Sequence, residues 1–471
     1  MQPEPSEPAA QISIVKGSDV HHPVGPDANP ISFRALFFFL VAVILLLSDK
    51  GQIAGDGVTR WNALVALAED HRLTPDKYTL VQPMLATPLY AVGALIASVD
   101  DTFHNVSPAE RREHRIHSAH GLVARFNKVI AFLIVVLLFR MAVVAFGFND
   151  FQAAGTVLAL LFGSMLIPNA RDYYSECLWT LLSLAALYML SKPTERLPRS
   201  EGIALAVTVA SSIPLNPILF WVLGGVLAVV LMRTARGHRV DYRALYGAVG
   251  LFAGLAATLA ENYVRRGGIF RTGYEREGFT TPLLTGLWGE LAAPSRGVVF
   301  FIPAFLLGPL LLALYRQRLS DRARIFVQLS LLYSCGLILA YATWWSWHGS
   351  WYWGPRFLLP LSVFGAIYLA LLVKHGWPSR VIRVVAVSVA TASFLIYKVG
   401  AAINQRHLLE CLRSAVDENT CYWSWVYSPM ASLFARADVH DMLVHRSTAV
   451  EAFTVVLVVL CGIMFRQRRH Q

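Results

Sequence analysis

Charge is what this chain has least of. Only 15% of its 471 residues are Asp, Glu, Lys or Arg, where a soluble chain of ordinary composition carries about 25%. Cysteine is scarce as well. The five cysteines show no zinc-ligand spacing, and Cys177, Cys335 and Cys461 lie in apolar runs, where they read as small buried hydrophobes. Cys411 and Cys421 share one polar loop, in which a disulfide is open to them if that loop faces an oxidising compartment. No cleavable signal is visible. Residues 1–30 are polar and Pro-rich (PEPSEPAA, HHPVGPDANP) and are expected to form a disordered cytoplasmic tail. Internal repeats are not evident.

What the chain has instead is apolar surface. Hydrophobic residues make up 55%, and mean hydropathy is +0.50. A soluble protein of this length could not bury that much, whereas a bilayer takes it up as spans of roughly 20 residues. The expected class is therefore an all-α polytopic membrane protein.

The net charge of +11 invites a nucleic-acid reading, but the positions of the charges exclude it. Lys and Arg sit in short segments between apolar runs, with no basic face interleaved with stacking aromatics. Segments 191–201, 233–243, 316–324, 374–383 and 466–471 hold seventeen basic residues against four acidic ones. By the positive-inside rule these are cytoplasmic. The opposite side then holds 263–297, 345–356 and 403–446, rich in Trp, Tyr, Gly and mixed charge.

Thirteen apolar runs have helix length: 31–48, 80–99, 127–147, 152–168, 177–190, 202–213, 215–232, 244–262, 298–315, 325–344, 357–373, 383–402 and 447–465. With both termini inside, the number of crossings must be even. Pro83 and Pro88 single out 80–99 as the run that does not span, because they are expected to break its helix. Such a segment lies at the interface or re-enters. About twelve crossings (eleven to thirteen) follow, with a long external loop from 49 to 126. The basic stretch 107–128 then lies outside, against the charge rule.

Several polar clusters fall on that external side. Asp56 sits between Gly55 and Gly57, followed by Arg60 and Trp61. Glu176 ends the run Arg171-Asp172-Tyr173-Tyr174-Ser175 at the start of a helix, where a carboxylate also caps favourably. The loop 262–297 carries Arg265, Arg266, Arg271, Arg276 and Arg296, and arginine suits bidentate phosphate contacts, although interfacial snorkelling accounts for any single one. Segment 344–356, WWSWHGSWYWGPR, holds five tryptophans in ten residues, more than an aromatic belt needs. Its rings suit sugars or prenyl chains. Arg356 is placed to hold a lipid phosphate, and His348 is either a proton shuttle or a hydrogen-bonded structural histidine.

With these residues placed, the chain resembles the GT-C superfamily of membrane glycosyltransferases, within it the bacterial dolichyl-phosphate-mannose-protein mannosyltransferase-like branch. The likeness rests on Asp56, the segment Tyr78 to Tyr90, Tyr174-Ser175-Glu176, NYVRRG, GYEREGFTTPLLTGLWG, PSRG at 294–297 and WGPRFLLPL, in order from about 31 to 430. It implies one transmembrane domain over 31–465, with a catalytic module at 31–262 and a loop-bearing module at 263–465, followed by a basic cytoplasmic tail at 466–471. It also implies juxtamembrane helices in the first external loop.

By the same resemblance, a sugar passes with inversion from a polyprenyl-phosphate donor to a glycan, lipid or protein acceptor on the periplasmic face of a bacterial inner membrane. Asp56 is the implied base, and Glu176 is implied to orient the acceptor or to assist Asp56. Arg296 and Arg356, with Arg265, Arg266, Lys77 and Tyr78, are implied phosphate ligands, and Trp353 flanks the sugar or prenyl chain. Family members often have an acidic pair where Asp56-Gly57 stands; with glycine at the second position the resemblance implies no metal ligands here, although a divalent metal stays open. The competing reading is a lipid or solute transporter or flippase, which would carry functional ionisable groups within its helices. Arg140, Glu261 and Lys398 are the candidates for that.

Overall fold

An apolar segment inside a bilayer finds no water for its backbone groups and must satisfy them within itself, as a helix. The computed structural model describes residues 30–48, 51–99, 107–192, 198–235, 241–275, 277–350, 352–376, 379–402, 406–414 and 418–428. Its regular elements are nineteen α-helices and two short 3-10 turns. The only β-pairing among the described residues is one isolated parallel bridge between Gln52 and Asp172.

The expected tails and the expected pass 447–465 lie outside the described residues, as does Arg276. The other eleven expected passes are all helical. Among the described residues, six helices are long and apolar enough to cross a bilayer, and five shorter apolar helices accompany them. This is an integral membrane protein.

Local chemistry sets the breaks. Asn216 is extended (φ −152°, ψ 95°) because it precedes Pro217, which separates helix Arg199–Leu215 from helix Ile218–Ala235. Pro303 divides the pass at 298–315 into Val298–Phe301, a 3-10 turn Pro303–Leu306, and Leu307–Tyr315.

One expectation fails. Pro83 and Pro88 do not break their helix, and Val81–Val99 is continuous. Pro83 falls in the first turn, where its missing N–H has no helical partner to lose. Pro88 is tolerated because packing holds the helix together around it. Gln82, Pro83, Ala86, Tyr90, Gly93 and Ala97 form its buried stripe. At Gly93 the contact with helix Pro108–Val123 is so close that a Cβ would lie 2.4 Å from the Cα of Ala119.

The hairpin made by these two helices starts and ends at the same place. Gln82 near its start and Asn127 just past its end both donate to the carbonyl of Tyr174, at 3.1 and 2.7 Å. A segment that returns to its starting end adds no net crossing whether or not its helices enter the bilayer, and Val81–Val99 is itself long and apolar enough to span. The basic stretch is partly neutralised within the hairpin's surroundings: Arg112 pairs with Asp70 at 2.8 Å and Arg115 with Glu69 at 2.6 Å.

The bundle has two chemically distinct ends. At one end, Arg243 donates to the carbonyl of Leu190, Arg322 lies 4.3 Å from the ring centre of Tyr188, Tyr315 bonds the carbonyl of Gly376, and Lys374 bonds that of Gly147. These contacts gather the basic segments that charge counting grouped together. The other end gathers the loops near 52–80, 171–176, 261–297, 343–356 and 421–428.

Candidate active site

Asp56 is positioned by a turn that only glycine makes easily. Gly55, with φ 50°, caps helix Asp56–Glu69, which puts the carboxylate on the first residue of the helix, where the dipole favours it. The approach to that turn is pinned to a distant segment. Gln52 N–H donates to the carbonyl of Arg171 at 2.8 Å, and Tyr173 N–H donates back to Gln52 at 3.1 Å. Gly57 closes the contact: a Cβ there would stand 2.9 Å from the carbonyl oxygen of Tyr173. A side chain at that position would have to displace the backbone of Tyr173.

The same pairing brings Glu176, at the start of helix Glu176–Leu190, beside Asp56. Arg356 joins the two. Its Nη2 donates to Asp56 Oδ2 at 2.9 Å, and its Nε lies 3.5 Å from Glu176 Oε1. The rings of Tyr174, Tyr352 and Phe357 surround the guanidinium with centres at 4.9, 5.9 and 4.9 Å. Such faces are favourable to a cation withdrawn from water. The two carboxylates differ in access: the Asp56 side chain is 31% exposed and that of Glu176 only 7%. Of the pair, Asp56 is the one an incoming molecule can meet.

Burial alone would raise the Asp56 pKa. Arg356 and Arg60 outweigh it, and with hydrogen bonds from Tyr78 and Arg356 they hold the carboxyl at about 2. Burial and the Asp56 charge together push the Tyr78 hydroxyl well above the ordinary tyrosine range, so it remains a donor. The cation between the carboxylates is a guanidinium, and no group of three or more His, Cys, Asp or Glu side chains converges among the described residues. That donor set does not fit a divalent metal.

Arg296 and His348 lie close enough to Arg356 to feel its charge. Arg296 is fully buried, donates to the carbonyls of Ser350 and Ser295, and stands 5.3 Å from the Tyr422 ring centre. Burial lowers its pKa to about 10. His348 stacks on Tyr422 with centres 3.9 Å apart, and its Nδ1 accepts from Ser350 N–H at 3.0 Å. Burial, with Arg296 and Arg356 nearby, drives its pKa down to about 3, so the ring is neutral in the physiological range. Tyr422 is held there by the Cys411–Cys421 disulfide, which is formed.

The remaining residues singled out in the sequence divide. Tyr78 reaches the carboxylate pair, with the Arg60 guanidinium 4.0 Å from its ring centre. Lys77 pairs with Glu277 beside the rings of Tyr78 and Tyr274. Arg265 and Arg266 are engaged elsewhere. Arg265 donates to the carbonyls of Thr74 and Tyr78 at 2.7 and 2.6 Å, and Arg266 to that of Asp76 at 2.6 Å. They clamp the loop that carries Lys77 and Tyr78. Trp353 is core, packed edge-on against Phe301 at 5.5 Å. Glu261, a candidate for the transporter reading, accepts from Thr79 and from Leu80 N–H and anchors the hairpin.

Sequence reasoning named Arg60 without giving it a role and did not name Tyr422. Arg60 lies one helical turn after Asp56, so both project from the same helix face, and that spacing was a usable signal. Tyr422 had none beyond its neighbour Cys421.

Among solved structures, the chain is similar to ArnT from Cupriavidus metallidurans bound to undecaprenyl phosphate. The TM-score is 0.51 and the identity 15%, covering 92% of this chain and 73% of that one. The same protein in the apo state gives 0.49 at 15% identity, over 91% and 76%. The fold is GT-C-like. No family model matches the chain, and no curated protein matches it by sequence.

Proposed function

We propose that the chain is a membrane glycosyltransferase that moves a sugar from a polyprenyl-phosphate donor to an acceptor hydroxyl, with inversion. The observation that carries this reading is Arg356 held between Asp56 and Glu176 in a GT-C-like fold. It brings a base, its buried partner and a phosphate-binding cation into one polar end of an integral membrane protein. The similar ArnT structure is bound to undecaprenyl phosphate, a ligand of the kind such a site would release.

In this reaction Asp56 takes the proton of the acceptor hydroxyl as its oxygen bonds to the anomeric carbon. The bond from that carbon to the donor phosphate oxygen breaks, and its electron pair leaves with the polyprenyl phosphate. A carboxylate tied to a guanidinium is a weak base, and general base catalysis needs a matched pKa. A phosphate drawing on Arg356 would loosen its hold on Asp56 and strengthen the base when donor is bound. Glu176, nearly closed to solvent, orients Arg356 and does not meet the acceptor. Arg296 and Lys77 add positive charge around the leaving phosphate.

Two features support an external, periplasmic site. The basic segments collect at the opposite end of the bundle, and the site end carries a disulfide, which persists in oxidising compartments. The sugar and the acceptor, whether glycan, lipid or protein, are left unassigned.

The test is Asp56→Asn and Glu176→Gln in membranes supplied with polyprenyl-phosphate sugars. Transfer undiminished in both variants would sink the mechanism. Loss of lipid or solute movement with no glycosyl product in the wild type would favour the flippase.

A further inference from the structure

We infer that Trp345, Phe279 and Glu277 form a saccharide subsite beside the Asp56 cleft, and that the acceptor is a glycan. The inference rests on the glycosyltransferase reading above and names the acceptor class which that reading left open.

Two loops build the subsite. Trp345 N–H donates to the carbonyl of Gly278 at 2.9 Å, Thr281 N–H to that of Thr343 at 3.1 Å, and the Thr281 hydroxyl to that of Trp344 at 2.8 Å. On this frame two large rings stay open, Trp345 at 46% and Phe279 at 59% exposure. Phe279 stands edge-on to Trp344 with ring centres 5.1 Å apart, and Trp344 edge-on to Tyr274 at 6.1 Å. Trp345 Nε1 donates to Glu277 Oε2 at 3.2 Å, and the other carboxylate oxygen takes the Lys77 ammonium.

The arrangement adjoins the reacting centre. Lys77 Nζ lies 5.4 Å from the ring centre of Tyr78, whose hydroxyl donates to Asp56. Tyr274 is close enough to Asp56 and to Glu277 to feel both charges.

An aromatic belt is the ordinary account of an exposed tryptophan at a membrane surface, and there the ring sits among the headgroups. Trp345 differs, because its N–H is spent on a carboxylate of the same protein and its ring plane is thereby fixed. Glu277 keeps capacity to accept: a carboxylate offers about four lone-pair sites, and Lys77 and Trp345 occupy two oxygens once each. Its side chain is part-exposed, so an incoming molecule reaches it. A sugar ring presents both halves of this chemistry. The C–H groups on its faces lie against aromatic rings, and the hydroxyls around its edge donate to a carboxylate. A lipid tail has nothing to donate to Glu277.

The experiment places the full chain, in lipid nanodiscs, on a printed array of oligosaccharides and measures undecaprenyl phosphate affinity on the same preparation. Wild type should be retained by a set of related glycans. Trp345→Ala should weaken that binding by about tenfold, with undecaprenyl phosphate affinity unchanged, and Trp345→Phe should fall between. Glu277→Gln, which keeps the shape and loses the charge, should also cost about tenfold. In Asp56→Asn, where transfer is blocked, saturating polyprenyl-phosphate sugar should leave the glycan bound. Displacement of the glycan would assign the subsite to the donor's own sugar and overturn the inference. Equal glycan binding by wild type and Trp345→Ala overturns it too, and so does parallel loss of glycan and undecaprenyl phosphate in that variant, which makes Trp345 a structural brace. Wild type that binds undecaprenyl phosphate and no glycan overturns the inference and leaves the glycosyltransferase reading standing. Binding of neither removes both.

Discussion

Arg356 meets Asp56 at 2.9 Å across 300 positions of the chain, and its other edge faces Glu176. One guanidinium thus fixes the position of both carboxylates; it holds the Asp56 pKa down, whereas burial outweighs it at Glu176 and pushes that carboxyl up. Several expectations follow from that sharing.

Asp56→Asn keeps the shape of the side chain and its place on the first turn of helix Asp56–Glu69 while removing the base. Transfer should fall by about 10²–10⁴-fold, and the thermal midpoint should also drop, because Arg356 loses one of its two charged partners. Initial rates at saturating donor measure this. A fall of less than threefold would return Asp56 to the role of an ordinary turn residue.

Glu176→Gln leaves Arg356 buried with one charged partner in place of two. Removing a partner from a buried pair costs about 3–5 kcal/mol, and the retained Asp56 contact places the expectation at the low end. Thermal melts in detergent should show a clear drop in midpoint, and Glu176→Ala a larger one. An unchanged midpoint would mean that Glu176 does not restrain Arg356.

The pH dependence has a defined sign. The folded Asp56 pKa, about 2, lies below its ordinary value of 3.8. Its contribution to stability is complete above about pH 4 and is lost as pH falls toward 2. Asp56 therefore puts no acid limb into kcat/KM between pH 4 and 8 in the wild type. In Arg356→Met the carboxyl loses its main opposing charge while keeping its burial, so an acid limb should enter that window. A wild-type profile falling with an apparent pKa near 6 would show that another group governs the free enzyme.

Reduction of the Cys411–Cys421 disulfide should act on the site through Tyr422. The bridge closes a short loop, for which a local stabilisation of about 2–3 kcal/mol is reasonable, and Tyr422 packs on both His348 and Arg296. Cys421→Ser should raise the KM for donor more than it lowers kcat. Equal kinetics in oxidised and reduced enzyme would separate this loop from the site.

Sidedness can be read directly. In a Cys335→Ser background, Glu110→Cys should react with an impermeant thiol reagent in intact cells, and Arg318→Cys only after permeabilisation. The reverse pattern would invert the orientation assigned here.

The fold and the site were legible to different degrees. Helix content and the sorting of charged segments to two ends could be read directly, because hydropathy and charge are summed over local windows. The helix Val81–Val99 was misread at its prolines, since the close seat of Gly93 on Ala119 lies outside any local window. Asp56, Glu176, Arg296 and Arg356 could be picked out as polar groups on one side whose loops should converge in one cleft, but not how they pair there. Nothing local showed that Arg265 and Arg266 would be consumed by the 74–78 backbone, or that Trp353 would be core.

By itself, then, the sequence determined that this protein lives in a membrane, which segments are apolar enough to form its helices and how the charged segments sort between the two ends. A bilayer imposes those outcomes on any chain with such runs of apolar residues. Only the tertiary structure decided which charges are paired and which are left over. Arg356 lies between two carboxylates, Arg296 turns to carbonyls, and Arg60 keeps two buried donors unused. Those pairings depend on the Gln52–Asp172 bridge and on glycine-close contacts such as Gly57 on Tyr173. Each joins segments far apart in the chain, and their approach is fixed by packing and not by any local pattern.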